Sequence, residues 1–105
     1  MTSLIPLDLL ALSVALLGIG IFGILTRRNF ILLLISIEIA MNAAILNFVV
    51  FGALAGGPSG VSGSAIAIVL IGLAATEVAV GLAIVLALNR LRGSINVAEA
   101  ATLRH

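Results

Sequence analysis

The chain has 105 residues, of which 63% are hydrophobic and only 9% are charged, and its formal net charge is +1. A soluble domain is about half apolar and about a quarter charged. This composition therefore excludes a soluble domain and indicates an integral membrane protein. With no cysteine and only His105 as histidine, the sequence excludes iron–sulfur, bis-histidine haem and thiolate–zinc sites, so we expect no metal and no cofactor on this chain. No Lys/Arg cluster or aromatic platform indicates a nucleic-acid partner, and the lipid bilayer is the expected surrounding.

The first two apolar runs each approach the about 20 residues that a membrane-spanning helix needs. The first helix is predicted over about residues 7–25. A short polar break, Arg27-Arg28-Asn29, follows it, and Asn29 has the side chain of a helix N-cap. The second helix is predicted over about residues 30–51. The pattern indicates two helices that cross the membrane one after the other.

A stretch rich in Gly, Ser and Pro over 52–63 is predicted to be a loop, because these residues disfavour a helix. The third helix is predicted over about residues 65–88, and a short polar tail over 93–105 follows it. The predicted fold class is therefore an all-α integral membrane protein with three transmembrane helices. We expect it to form a single membrane domain over 1–105.

The arginines flank the predicted spans and decide the predicted orientation. Arg27 and Arg28 lie in the first loop, whereas Arg90 and Arg92 follow the third span. With three spans, these two regions share one side of the membrane, and the N-terminus and the Gly-rich loop share the other. The positive-inside rule makes the arginine side cytoplasmic. We therefore expect the N-terminus outside, in the periplasm, and the C-terminus in the cytoplasm.

Two carboxyl groups, Glu38 and Glu77, lie inside the second and third apolar runs. A charge at this depth costs about 2.5–3.5 kcal/mol, so an ionisable residue there indicates a function. At about 1.5 Å per residue, Glu38 lies about 15 Å from Arg28 and Glu77 about 20 Å from Arg90. Both acids are therefore predicted near the midplane of a hydrocarbon core about 30 Å thick, at a similar depth.

Helical spacing predicts which polar side chains support these acids. Asn42 is four residues after Glu38 and can hydrogen-bond it or hold a water beside it. Asn47 points to the opposite side of that helix, where we expect it to bond another helix. Thr76 is adjacent to Glu77 but lies about a quarter-turn away. Because no Lys or Arg lies inside a span, the acids lack a countercharge in this chain, and the pattern favours a proton relay.

A purely structural reading stays open beside the relay. A membrane Glu can hold two helices together through a hydrogen bond of about 0.6–2 kcal/mol. The third span also carries a ladder of small residues that is typical of helix packing, at Ala75, Ala79, Ala83 and Ala87.

Residues 38–48, EIAMNAAILNF, contain a Glu followed by two Asn, and two further distinctive stretches lie at 75–83 and 90–97. These stretches resemble the NuoK/NdhE family, the small three-helix membrane subunit of respiratory complex I, whose second-helix signature is a Glu followed by two Asn. Residues 75–83, ATEVAVGLA, look like its third-helix signature, and residues 90–97, RLRGSINV, match its C-terminal end. The resemblance covers essentially the whole chain.

This resemblance implies that Glu38 and Glu77 are the family's two membrane carboxylates, part of a chain of buried polar residues through the membrane arm. It implies a non-redox subunit of proton-translocating NADH:quinone oxidoreductase, a translocase with no complete active site on this chain. The implied partners are membrane-arm subunits of the NuoA, NuoJ and NuoN types. Flavin, iron–sulfur clusters and quinone are expected on other subunits. The implied location is the bacterial inner membrane, as a multi-pass protein.

Two alternative functions share the three-helix plan. The chain can be an MrpC-type subunit of a multisubunit cation/proton antiporter, or a purely structural spacer between other helices. Rotor rings of ion pumps fit less well, since they typically use two-helix hairpins with one acid per chain.

Overall fold

The computed structural model describes residues 5–92 and Val97. It contains three helices, α1 (Ile5–Thr26), α2 (Phe30–Ala55) and α3 (Gly57–Arg92). All three are long and apolar enough to cross a membrane, which confirms the prediction of an all-helical, multi-pass membrane protein. The predicted polar tail over 93–105 lies outside the described residues except for Val97.

Asn29 determines where α2 begins. Its side-chain oxygen accepts hydrogen bonds from the backbone amides of Ile31, at 2.9 Å, and Leu32, at 3.3 Å. These amides have no partner within the helix, so the asparagine satisfies two donors that would otherwise be bare. The predicted N-cap is confirmed.

The predicted loop over 52–63 is wrong. α2 continues to Ala55 and α3 begins at Gly57, so Gly56 is the only non-helical residue between them. Gly56 and Gly57 have φ angles of 65° and 52°, a left-handed conformation that suits glycine and lets the chain reverse at once. The third helix is consequently longer at both ends than the predicted 65–88.

The other glycines of this stretch serve helix packing. A Cβ atom on Gly63 would lie 2.7 Å from the carbonyl oxygen of Phe48 and 2.9 Å from Cα of Gly52. The backbones of α2 and α3 therefore touch at a distance that only glycine permits. Glycines that appear to break a helix in the sequence are here the contact points of a tight helical hairpin.

α2 is the central helix of a flat, three-helix layer. Both other helices pack against α2 and make little contact with each other. α1 packs beside Ser36 and Ala40, whereas α3 packs beside Leu34 and Gly52. In a helix, Ser36 and Leu34 point about 160° apart. α1 and α3 therefore lie on opposite sides of α2.

The buried contacts of the layer are made by small side chains. Ala43 is 1% exposed, Ala67 2% and Ala74 3%, while most of the large aliphatic residues face outward. This distribution is typical of membrane helices, because lipid tails solvate large apolar groups and small residues let backbones approach closely.

The arginines gather at one end of the layer. The backbone amide of Val97 donates a 2.7 Å hydrogen bond to the carbonyl oxygen of Arg28, which places Val97 at the α1–α2 connection. Arg90 and Arg92 are in the last turn of α3, at this same end. Asp8 is in the first turn of α1, at the other end.

Candidate functional site

The two acids lie at the same level of the α2–α3 pair. A Cβ atom on Gly81 would touch the side chain of Leu34, at 2.7 Å from a methyl carbon, and Gly63 lies against Gly52. These contacts define an antiparallel register in which residue 38 is opposite residue 77. The structure therefore agrees with the expectation that Glu38 and Glu77 share a depth.

The same two acids lie on opposite faces of the three-helix layer. Glu38 lines a groove of about 340 Å³ together with Val78 and Leu82 of α3. A second groove, of about 200 Å³, contains Gly81 and Ile84 of α3. Leu34 of α2 lines both grooves, so they flank the same helix contact on its two sides.

Glu77 belongs to the face of the second groove. Residues four and seven positions apart lie on one side of a helix, so Glu77 shares its side of α3 with Gly81 and Ile84. Glu38 is half-buried in its own groove, whereas Glu77 is exposed. The structure places the acids at one level but does not bring them together, because the α2–α3 contact separates them.

The described residues enclose neither carboxyl group, although Glu38 is half-buried. Among residues 5–92, no side chain donates a hydrogen bond to Glu38 or Glu77. α1 lies on the far side of α2 and reaches neither the α2–α3 contact nor the exposed side of α3. In a membrane, the groups that solvate these acids must therefore come from water or from another chain.

Two predicted supporting residues make no hydrogen bond to the acids within the described part of the chain. Asn42 is exposed on α2, and in the described part of the chain it makes no hydrogen bond to Glu38. The Thr76 hydroxyl donates to the carbonyl oxygen of Gly72, at 2.9 Å, one turn earlier in α3. The Thr76 hydroxyl is thus satisfied within its own helix.

Asn47 bonds another helix, as expected from its position on α2. Its side-chain oxygen lies 2.5 Å from the hydroxyl oxygen of Ser13 in α1, and Ser13 is 1% exposed. The Ser13 hydroxyl also lies 3.1 Å from the carbonyl oxygen of Leu10. A hydroxyl carries one hydrogen, and the shorter contact assigns it to the Asn47 oxygen, because the carbonyl oxygen of Leu10 already accepts a backbone bond inside α1.

Sequence reasoning missed Ser13, although a signal was present. Ser13 lies seven residues before Gly20, and Gly20 approaches the backbone of Ala40 in α2. Small residues at this spacing lie on one side of a helix and predict a packing face. A polar residue on that face needs a partner on the neighbouring helix.

Removing the Ser13 hydroxyl is expected to weaken the α1–α2 contact by about 0.6–1.7 kcal/mol. We expect Ser13→Ala to lower the temperature at which the subunit leaves the detergent-purified complex. The double variant with Asn47→Leu should lower this temperature by less than the sum of the two single effects, because both substitutions remove the same interaction. Ser62→Ala is the matched control, since the Ser62 hydroxyl donates to Pro58 of its own helix and bonds no other helix within residues 5–92. Additive effects of Ser13→Ala and Asn47→Leu would contradict the shared bond.

Comparison with known proteins places the chain in a family. The family described as NADH-ubiquinone/plastoquinone oxidoreductase chain 4L matches residues 8–105. NADH-quinone oxidoreductase subunit K of Anaeromyxobacter dehalogenans (strain 2CP-C) is 48% identical over 92 residues, which cover 88% of this chain and 90% of that protein. The subunit K of Geobacillus kaustophilus is 45% identical over 96 residues, covering 91% and 94%. The subunit K of Bacillus anthracis is 44% identical over 95 residues, covering 90% of each chain. The chain therefore belongs to the chain 4L family of NADH-ubiquinone/plastoquinone oxidoreductase, whose members are single subunits of a larger enzyme.

Proposed function

We propose that this chain is a non-redox membrane subunit of proton-translocating NADH:quinone oxidoreductase, in which Glu38 and Glu77 exchange protons along a hydrated path. Family membership supports the assignment to this enzyme. The observation that carries the proton role is the shared level of the two acids, one on each face of the layer. This arrangement suits a relay that carries protons from one side of the subunit to the other.

In this mechanism the chain receives protons on one face and releases them on the other. A carboxyl group on one face gives its proton to a water molecule, and the carboxylate on the other face accepts a proton from the same chain of waters. The side chains between them, including Leu34 and Val78, are apolar and carry no proton. Water at the α2–α3 contact must therefore complete the path, and redox reactions on other subunits drive it.

The energetic cost of the two acids supports a function beyond packing. Each costs about 2.5–3.5 kcal/mol at mid-membrane. A hydrogen bond between membrane helices returns about 0.6–1.7 kcal/mol, and within residues 5–92 neither acid makes one. Two such residues at a common level are better explained by a titratable pair than by helix adhesion.

The proposal includes the surroundings of the chain. Subunits of the NuoA, NuoJ and NuoN types lie beside the two acids and supply the polar groups that solvate them. Flavin, iron–sulfur clusters and quinone reside on other subunits of the enzyme. The chain lies in the bacterial inner membrane with its N-terminus in the periplasm and its arginine end in the cytoplasm, as the positive-inside rule favours.

Single cysteines test this orientation, because the natural chain has none. Ser59→Cys, at the hairpin end, is expected to react with a membrane-impermeant maleimide added to intact cells. Asn89→Cys, beside the arginines, should react only after the membrane is permeabilised. The opposite labelling pattern would reverse the orientation.

Replacement of each acid by Gln tests the proton role, because Gln keeps the size of the side chain and cannot titrate. The measurement is the number of protons pumped per electron by the assembled enzyme. We expect Glu77→Gln to have the larger effect. Glu38→Gln should be milder, since Asn42 and water molecules can partly bridge that position. Unchanged pumping with both acids replaced would contradict the relay and favour a structural spacer.

The subunits that co-purify with the chain distinguish the antiporter alternative from the proposed function. The match to chain 4L favours the oxidoreductase. Flavin and iron–sulfur subunits should co-purify with the chain if the proposal is correct, and an MrpC-type subunit would purify without them. A structural spacer predicts in addition that disruption of the alanine ladder, and not of the acids, prevents assembly.

A further inference from the structure

A groove with a charged residue at one end runs between α1 and α2. Its volume is about 310 Å³, and Arg27 is at its mouth. The walls are mainly aliphatic and aromatic side chains from both helices, namely Ile19, Phe22, Leu32, Ile35 and Ile39. Between Ile19 and Arg27 it extends about 12 Å along α1. Ile35 and Ile39 also line the groove that contains Glu38, so both grooves open to the same face of the layer.

The mouth of this groove is strongly basic. Arg28 is adjacent and exposed, and its carbonyl oxygen accepts a hydrogen bond from the backbone amide of Val97. The nearest acid within residues 5–92 along α2 is Glu38, about 15 Å away. No described carboxylate neutralises these guanidinium groups.

We propose that this groove binds an anionic phospholipid, with its phosphate on Arg27 and Arg28 and one acyl chain along the apolar walls. The planar guanidinium group donates paired hydrogen bonds that match phosphate oxygens. Basic pockets between membrane helices favour acidic lipid head groups in this way. The apolar walls below Arg27 exclude a free soluble anion as the complete ligand.

The size of the groove favours a lipid chain over a partner helix. A helix with its side chains is about 10–12 Å wide, so a groove of this volume can take single side chains of a partner helix but not the helix itself. An acyl chain is narrow enough to lie along it. The positive charge at one end and the apolar surface below it are complementary to the phosphate and the acyl chain of a phospholipid. This site is independent of the proton role of the two acids.

The test uses the assembled enzyme in phosphatidylcholine vesicles that contain a photoactivatable phosphatidylglycerol with a diazirine on its acyl chain. After illumination, mass spectrometry identifies the labelled residues of this subunit. We expect label on the groove residues of α1 and α2, at least about fivefold above that from a photoactivatable phosphatidylcholine. This factor corresponds to about 1 kcal/mol for one basic residue near the membrane surface.

Variants of Arg27 and Ile19 separate the head-group contact from the chain contact. Arg27→Gln should reduce the preference for phosphatidylglycerol about fivefold, whereas Arg27→Lys keeps the charge and should retain most of it. Ile19→Trp fills the groove and should remove the label. Ile21→Trp is its control, since Ile21 is exposed and does not line the groove.

Two results would overturn the proposal. Equal labelling by the two lipids would show that the groove does not select an anionic head group. Absence of label from both would show that another subunit covers the groove. The amount of assembled enzyme with Arg27→Lys and Ile21→Trp verifies that substitutions at these sites permit folding.

Discussion

The Glu77→Gln enzyme is expected to assemble and to lose most of its proton pumping. The substitution keeps the shape of a side chain that is exposed on α3, so packing within the layer should not change. It removes the group that binds and releases a proton. A positioned acid–base group contributes about 10²–10⁴-fold to a proton-transfer step, so coupled turnover should fall by a factor on the order of 10². The measurements are protons per electron and NADH:quinone turnover in closed vesicles.

Two further variants separate titration from polarity at this position. Glu77→Asp keeps a titratable group on a shorter side chain and should retain part of the pumping. Thr76→Val removes a neighbouring hydroxyl that bonds only Gly72 of its own helix, and it should pump normally. A Glu77→Gln enzyme with the full number of protons per electron would contradict the relay, provided that the enzyme contains this subunit in normal amount.

Gly63→Ala is expected to prevent normal assembly of the subunit. The added methyl group would lie 2.7 Å from the carbonyl oxygen of Phe48 and 2.9 Å from Cα of Gly52. Both contacts are with backbone, so the helices must separate, at a cost of about 1–3 kcal/mol for overpacking. The measurement is the amount of the subunit in purified complex and the thermal midpoint of its loss.

Gly72→Ala is the matched control in the same helix. A methyl group on Gly72 meets no atom of the described chain within 4 Å. Alanine also favours a helix over glycine by about 1 kcal/mol, so this variant should be neutral or slightly more stable. Equal behaviour of Gly63→Ala and Gly72→Ala would show that the close α2–α3 contact is absent in the assembled enzyme.

The sequence predicts those features that depend on a single helix. Three spans follow from the length of the apolar runs, the start of α2 follows from Asn29, and the partner of Asn47 was expected on another helix. Each prediction needs only the period of the helix and the chemistry of one side chain. The common level of Glu38 and Glu77 likewise follows from counting residues from the arginines.

Features that depend on two helices together were not predicted. By composition alone, the glycines of 52–63 are as compatible with a loop as with a close contact between helices. The close contact of Gly63 with Phe48 and Gly52 shows that they belong to helices. The opposite faces of Glu38 and Glu77 depend on how each helix is rotated about its axis. Helical spacing orders the side chains of one helix but does not say which of them faces its neighbour.

The common level of the two acids has an electrical consequence. A proton that moves from one face of the layer to the other travels parallel to the membrane plane, over about the width of one helix, about 10 Å. Carrying one charge through the full transmembrane voltage costs about 2.3 kcal/mol per 100 mV, but lateral movement at constant depth crosses almost none of that voltage. The step between Glu38 and Glu77 should therefore proceed at the same rate in an energised and in a de-energised membrane.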